Sequence, residues 1–288
     1  MNFDFSEDQK FLKDQARKFL SEQCGTDEVR KVLDDDAKAY HEELWKAVAE
    51  MGWLGVNIPE EHGGLGLGAL ELCVLAEEMG RAVAPIPYSS TVYYAAEALN
   101  LAGSDAQKSQ WLPKIAAGEI IGCYAASEGP GEINPDKLTC EFSNGQLTGE
   151  KIPVTDGDVA DLAIVLASEN GAPVWVAVNL NGDGVERETV KTLDPTRSHA
   201  RLRFKGAAAD RLGAVGDGAE NHEQLMQRVA VLTAFEQVGG STRCVEISTD
   251  YAKERYAFGR PIGSNQAIKH KLAMMWVKTE VARSHAYY

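Results

Sequence analysis

The feature that most constrains the fold of this chain is a change of hydrophobic period that happens twice. Apolar residues recur at helical spacing up to about residue 118, at strand spacing from about 120 to 210, and at helical spacing again from about Glu220. No long helical pattern separates the strands from one another, so the middle region does not read as alternating strand–helix–strand units. The expectation is an α+β protein: an N-terminal all-helical domain over residues 1–118, an antiparallel sheet or small barrel over 119–217, and the first two helices of a C-terminal bundle over 218–288.

Local chemistry supports each part. Ser6 followed by Gln9 forms a capping box ahead of a helix carrying Leu12, Ala16 and Leu20. A second periodic run starts at His41 and passes through Trp45, Val48 and Met51 to Gly52. Residues 68–81 are apolar almost all round, which predicts a helix buried between others. Further helices are predicted over 88–102 and from Asp105 to Ala117. In the middle region, Asn144-Gly145 between two short runs is a strong hairpin signal. LAIVLAS (162–168) and VWVAVNL (174–180) read as strands, and Arg201–Phe204 alternates as a half-buried strand does. Leu225, Val229, Leu232, Phe235 and Val238 share one face of a later helix. A last helix after Pro261 runs through Ile268, Leu272, Met275 and Val281 to Tyr288 with no glycine or proline stop. That pair would leave an apolar face bare, so the expectation is that further helices or another subunit cover it.

Charge and cysteine usage narrow the function. A formal net charge of -14 with no basic stripe argues against nucleic-acid binding. No apolar run approaches the ~18 residues of a membrane span, and the N-terminus MNFDFSEDQKF lacks the order of a signal peptide. Five scattered cysteines and dispersed histidines predict neither a disulfide framework nor a metal site, and a cytoplasmic location.

Five stretches carry possible chemistry. Gly52–Gly66 is a glycine-rich corner between helices and is read as a turn. The loop Ala125–Gly131 offers backbone N–H groups and a hydroxyl to a flat polar ligand, or is a strand-to-strand turn. Pro153, having no N–H, forces an edge, a bulge or a bend that could present the Thr155 hydroxyl. Arg255–Gln266 reads as a helix that ends near Phe258, capped by Gly259 and blocked by Pro261. Its arginine fork either grips phosphate oxygens or is a solvated basic helix end. Glu236, on an otherwise apolar helix, is read as a structural partner of Arg243 or of a backbone group rather than as a base.

Taken together, GWLGVNIPEEHGGLG (52–66), EEMGR (77–81), QWLPKIAAGEIIGCYAASEGPG (110–131) and YAKERYAFGRPIGSNQAIKHKLAMM (251–275) make this chain resemble the acyl-CoA dehydrogenase family along almost its full length. The resemblance implies an FAD enzyme of fatty-acid metabolism that desaturates an acyl-CoA thioester between Cα and Cβ. A glutamate removes the α-proton and electrons pass to an electron-transferring flavoprotein. It also implies an oligomer, homomeric or heteromeric and commonly a dimer of dimers, with FAD at a dimer interface. Carried over by position, Tyr124, Ala126 and Ser127 would line the flavin ring, and Thr155 would bond near its reactive edge. Arg255, Phe258 and Gln266 would reach the pyrophosphate and adenosine half of FAD held by a neighbouring subunit.

The chain departs from the family pattern at telling places. Gly131-Glu-Ile-Asn134 replaces the usual Gly-Ser-Asp run, Pro153 replaces a tryptophan, and Ala257 replaces a threonine. The early position of the family's catalytic glutamate falls on Val229, and the later one would lie past Tyr288, so the catalytic base is unassigned. EQVGG (236–240) with GRPIGSNQAIKH resembles a branch acting on bulky acyl-CoAs, in which two unlike subunits can pair and one can lack the base. The alternative this implies is a non-catalytic subunit that shapes a partner's FAD or acyl site.

Overall fold

The computed structural model describes residues 5–35 and 38–287. The first four residues of the acidic N-terminal stretch and Tyr288, where the last helical pattern was expected to end, lie outside the described residues. Two compact units emerge. One holds the chain through Asp27, Leu70–Ala84 and everything from Ala230; the other holds Glu28–Ala69 and Pro85–Val229. Among the described residues no helix is long and apolar enough to cross a membrane.

The first unit is helical. Its α1 (Glu7–Gln23) starts at the expected capping box: the Gln9 amide donates to Ser6 Oγ at 3.2 Å and the Ser6 amide donates to Gln9 Oε1 at 2.9 Å. The helix after residue 68 spans Ala69–Ala82 and is α4 in chain order, after α2 (Thr26–Leu33) and α3 (Glu42–Glu50). It is buried from Leu72 through Met79, as its composition predicted, yet that stretch includes two carboxylates. Burial of Glu77 and Glu78 is tolerable only because each is paired. Lys13 Nζ lies 2.6 Å from Glu77 Oε2, Arg283 also bonds Glu77, and Arg17 holds Glu78 two-pronged at 2.7 and 3.1 Å. Burial alone would raise the Glu77 carboxyl, but Lys13 and Arg283 hold it below the usual carboxylate range.

The long helix Gly218–Glu254 (α7) begins in the second unit and continues into the first; its predicted face, Leu225 to Val238, is buried. Arg243 pairs with Glu246, and Glu236 is half-buried. The final helix (α8, Gln266–Tyr287) leaves Met274, Trp276, Val277 and Val281 exposed. The basic corner differs from its sequence reading. The helix stops at Glu254, and Tyr256–Ala257 pairs with Arg260–Pro261 as a two-stranded hairpin. Phe258 and Gly259 both take positive φ, 54° and 76°, so they are the central residues of a tight turn whose twist suits the hairpin, and Gly259 does not cap a helix.

The second unit combines helices with a seven-stranded sheet. The glycine-rich corner closes on itself through Leu65 N–H to Gly55 O at 2.8 Å and Leu67 N–H to Val56 O at 2.9 Å, as a turn should. The predicted helix over 88–102 is split: Ser89–Ala96 is π-helical, and α-geometry resumes at Glu97–Ala102 (α5), followed by Asp105–Ala116 (α6). Polar side chains on the wide turn bond outward. Thr91 Oγ1 accepts from the Gly122 amide at 3.1 Å and Ser90 Oγ donates to Asp156 Oδ2 at 2.6 Å.

The strands are β1 (Gly122–Ala125), β2 (Glu141–Ser143), β3 (Gln146–Thr155), β4 (Leu162–Glu169), β5 (Ala172–Asn179), β6 (Val185–Thr189) and β7 (His199–Leu212). Their order is β1-β4-β2-β3-β7-β5, with β6 on β7, and an added β4–β5 pairing closes the ring into a barrel. The sheet is not purely antiparallel. β1 and β2 each pair β4 in parallel, because the long loop after β1 and the β2–β3 hairpin give the chain room to cross over. Asn144 and Gly145, at φ 51° and 76°, make the expected hairpin turn between β2 and β3. Pro153 sits in the register break between Lys151 and Val154 against β7, so of the three expected irregularities it is a bulge.

Candidate active site

In the second unit, four elements enclose a cavity of about 150 Å³. The π-helical segment supplies Ser90 and Tyr94. The end of β1 and the loop after it supply Tyr124, Ala126, Ser127 and Ile133. β3 supplies Pro153 and Thr155 around its bulge, and α7 supplies Met226. Four of the seven residues singled out in the sequence, Tyr124, Ala126, Ser127 and Thr155, are thus brought to one cavity. A neighbouring hollow of about 270 Å³ lies within the loop from Ala126 to Leu138, where Glu132 to Asn134 interrupt the usual pattern.

The hydroxyls of Ser90, Tyr124, Ser127 and Thr155 are already oriented at the cavity. Ser127 Oγ donates to Gly129 O at 3.0 Å, so the hydroxyl expected to be free is turned onto its own loop and offers lone pairs only. Thr155 Oγ1 lies 3.3 Å from His199 Nε2, while His199 Nδ1 lies 3.1 Å from Arg197 O. A carbonyl can only accept, so Nδ1 carries the proton, Nε2 accepts in the neutral ring, and the Thr155 hydroxyl donates to it. The adjacent Asp156 is buried, and that burial pushes its carboxyl above the usual range despite the hydrogen bond from Ser90.

Beneath the loop lies a buried cation. The Lys151 side chain is fully buried; its ammonium donates to Ala126 O at 3.1 Å and to Glu128 Oε1 at 2.8 Å. Glu128 also accepts from the Thr139 amide at 2.8 Å and the Cys140 amide at 3.0 Å. Burial alone would raise Glu128, but Lys151 and these amides bring it down to about 2. Burial in turn lowers Lys151. The pair staples both ends of the loop that borders the cavity.

Tyr124 is the most constrained wall. Trp175 Nε1 lies 3.1 Å and His222 Nδ1 2.8 Å from its hydroxyl, and its ring lies nearly parallel to those of Tyr94 and His222. Burial raises the Tyr124 phenol well above its ordinary range.

Arg255, Phe258 and Gln266 belong to the other unit and do not line this cavity. Arg255 closes the hairpin base through its carbonyl, which accepts from the Ile262 amide at 2.8 Å. Its guanidinium is exposed and makes no ion pair among the described residues. Phe258 is fully exposed at the tip, and Gln266, also exposed, opens α8.

Sequence reading missed Ser90, Tyr94, Met226, Lys151, Trp175 and His222. Lys151 alone left a local trace, since strand alternation from Leu147 places it on the inward side. The others are single side chains on helices and a strand, joined only by tertiary packing.

Residues 6–119 match the family profile described as acyl-CoA dehydrogenase, N-terminal domain, and residues 216–288 match acyl-CoA dehydrogenase, C-terminal domain. Acyl-CoA dehydrogenase IpdE2 of Mycobacterium tuberculosis is 30% identical over 285 residues, which cover 96% of this chain and 74% of that protein. Among solved structures, the acyl-CoA dehydrogenase of Bacillus anthracis complexed with FAD superposes with a TM-score of 0.89 at 28% identity, covering 99% of this chain and 50% of that one. The ChsE4–ChsE5 complex of Mycobacterium tuberculosis gives a TM-score of 0.89 at 26% identity, over all of this chain and 78% of its own. This chain belongs to the acyl-CoA dehydrogenase family of oxidoreductases, whose α+β architecture it has.

Proposed function

We propose that this chain binds FAD and takes part in the α,β-desaturation of an acyl-CoA thioester, with electrons passing on to an electron-transferring flavoprotein. The observation that carries the reading is the gathering of Tyr124, Ala126, Ser127 and Thr155 around one cavity. The residues present suit the group. An aromatic wall, a backbone loop and oriented hydroxyl oxygens match a flat ring with a polar edge. An exposed guanidinium, without an ion pair among the described residues, beside an exposed phenylalanine matches a diphosphate joined to a ring.

When bound, the flavin supplies the acceptor for the hydride leaving Cβ. The protein's own residues orient and exclude. Tyr124 walls the site, Ser127 and its loop border it, and Thr155, its proton engaged by His199, offers lone pairs to a donor at the ring edge. Arg255, Phe258 and Gln266 serve a diphosphate and adenosine contributed largely by another subunit, so the working unit is a homo- or hetero-oligomer, in the family manner a dimer of dimers. The three-part division at 118 and 217, a cytoplasmic location and a place in fatty-acid metabolism belong to the same reading.

A second reading, a subunit of a heteromeric dehydrogenase that shapes a partner's site, is supported by two facts. Val229 is buried and has no proton-accepting side-chain atom, and the chain resembles the paired ChsE4–ChsE5 complex. The test uses the purified protein with and without a co-expressed partner. Arg255→Ala should lower FAD affinity by about one to two decades, from the loss of about 1.5–3 kcal/mol of charge-assisted bonding. Its fold should persist, because the side chain holds no ion pair among the described residues. Unchanged flavin content at limiting FAD would refute the assignment of Arg255. Flavin bleaching by acyl-CoA thioesters only when the partner is present would favour the second reading over the first.

A further inference from the structure

The Tyr124 hydroxyl has one proton and sits between two ring nitrogens of different kinds. Trp175, fully buried on β5, can only donate through Nε1, so at 3.1 Å it takes up a lone pair of the phenol. The phenolic proton then needs an acceptor, and His222 Nδ1 at 2.8 Å is the other polar atom in contact with the hydroxyl among the described residues. If His222 donated instead, the hydroxyl would accept twice and bury its own proton unpaired, which is costly. The arrangement therefore requires a neutral imidazole with its proton on Nε2. Burial and the nearby positive charge of Lys151 both favour that neutral form. The ring stack completes the clamp: Tyr124 lies 6.0 Å from Tyr94 and 5.9 Å from His222 with interplanar angles of 18° in both cases, and meets Trp175 edge-on at 5.6 Å.

Tyr94 and Tyr124 line the cavity, whereas His222 stands behind Tyr124 and does not. We infer that His222 is a positioning residue of this site: by accepting the Tyr124 proton at Nδ1 it fixes the ring that walls the cavity. The consequence for recognition is specific. With its proton and a lone pair consumed, Tyr124 presents carbon to whatever fills the cavity, and it is a steric wall rather than an acid or a base. The identity of that ligand rests on the FAD reading above; the lock itself does not.

The experiment has two independent arms at pH 7. In the wild-type protein, ¹⁵N NMR of labelled histidine should show His222 neutral, with Nδ1 unprotonated and Nε2 carrying the proton. A protonated Nδ1 would overturn the inference whether or not FAD binds. In the second arm, FAD dissociation constants are compared for three variants. His222→Phe keeps the stack but removes the acceptor, and should weaken FAD roughly fivefold or more. His222→Asn, whose amide oxygen falls near the place of Nδ1, should stay within about twofold, whereas His222→Gln, whose acceptor falls near Nε2, should resemble the phenylalanine variant. Equal FAD affinity in all three also overturns it, and the Asn–Gln contrast stands in if His222→Phe does not fold. A wild-type protein that retains no FAD counts against the FAD reading and leaves the NMR arm to decide the lock.

Discussion

The crossing of α4 and α7 gives the sharpest test of the packing. A Cβ built on Gly239 would lie 1.8 Å from Glu77 O, 2.8 Å from Glu77 C and 2.9 Å from the Arg81 amide nitrogen. One built on Gly80 would lie 2.0 Å from Glu236 O, so the two glycines face each other's backbone across the same crossing. Ordinary contact begins at 3.4 Å, which leaves Gly239→Ala short by 1.6 Å against atoms that cannot rotate away. The helices must separate. Two effects compete. Alanine is a better helix former than glycine by about 0.5–1 kcal/mol. Overpacking costs about 1–3 kcal/mol and more when backbone must move. The clash is against backbone on both helices, so it wins, with an expected net loss of about 2 kcal/mol, or about 3 °C in Tm at ~2.1 cal/mol/K of unfolding entropy per residue. The neighbouring residue provides the control. A Cβ on Gly240 would sit 3.4 Å from Gly80 O, an ordinary contact, so Gly240→Ala should be neutral or slightly stabilising. Thermal unfolding of both variants checks this, and a Gly239→Ala protein as stable as the Gly240→Ala protein would refute the reasoning.

Two further outcomes follow from buried charges near the cavity. Glu128→Gln leaves the Lys151 ammonium buried without its counter-charge and should cost about 3–5 kcal/mol, part of it recovered by adding Lys151→Met. In the wild type, the contribution of Glu128 is complete above its ordinary 4.5 and is lost as pH falls toward about 2, so acid unfolding should begin at higher pH when that carboxylate is gone. A glutamine variant matching wild type in denaturant midpoint would contradict both statements. For Asp156 the sign is opposite. Its carboxyl is raised by burial, so its ionisation opposes folding as pH rises through the folded value. Asp156→Asn, which suits the φ of 55° and can still accept from Ser90, should gain on wild type as pH climbs from the ordinary aspartate value of 3.8 up to the raised folded value. A difference in Tm that stays constant over that range would remove the argument.

What could be read from the sequence was local. Ser6 and Gln9 meet within one helical turn, Asn144-Gly145 dictates its own turn, and the face from Leu225 to Val238 follows from spacing along one helix. The failures share one cause, which is competition decided at a distance. β6 reads VERET, with Val185 its one apolar residue and no apolar alternation, and exists because β7 offers it an edge. Gly259 and Pro261 have the composition of a helix stop, and only the pairing of Tyr256 with Pro261 shows that they shape a hairpin. The π-turn at Ser89–Ala96 depends on partners in β1 and beyond β3 that no window around residue 90 contains.

The same distinction separates resemblance from chemistry. EEMGR and EQVGG are among the stretches that tie this chain to its family, and a reader of motifs is drawn to assign them a part in catalysis. Their glycines instead let two backbones meet at the α4–α7 crossing, and their acidic residues Glu77 and Glu78 are consumed by Lys13, Arg17 and Arg283. Every one of these contacts lies within the first unit, while the cavity with Tyr124 and Thr155 lies within the second. The motifs therefore identify the scaffold, and the chemistry must be argued from side chains such as Trp175 and His222, whose significance arises only when the barrel and the first turns of α7 bring them to the same hydroxyl.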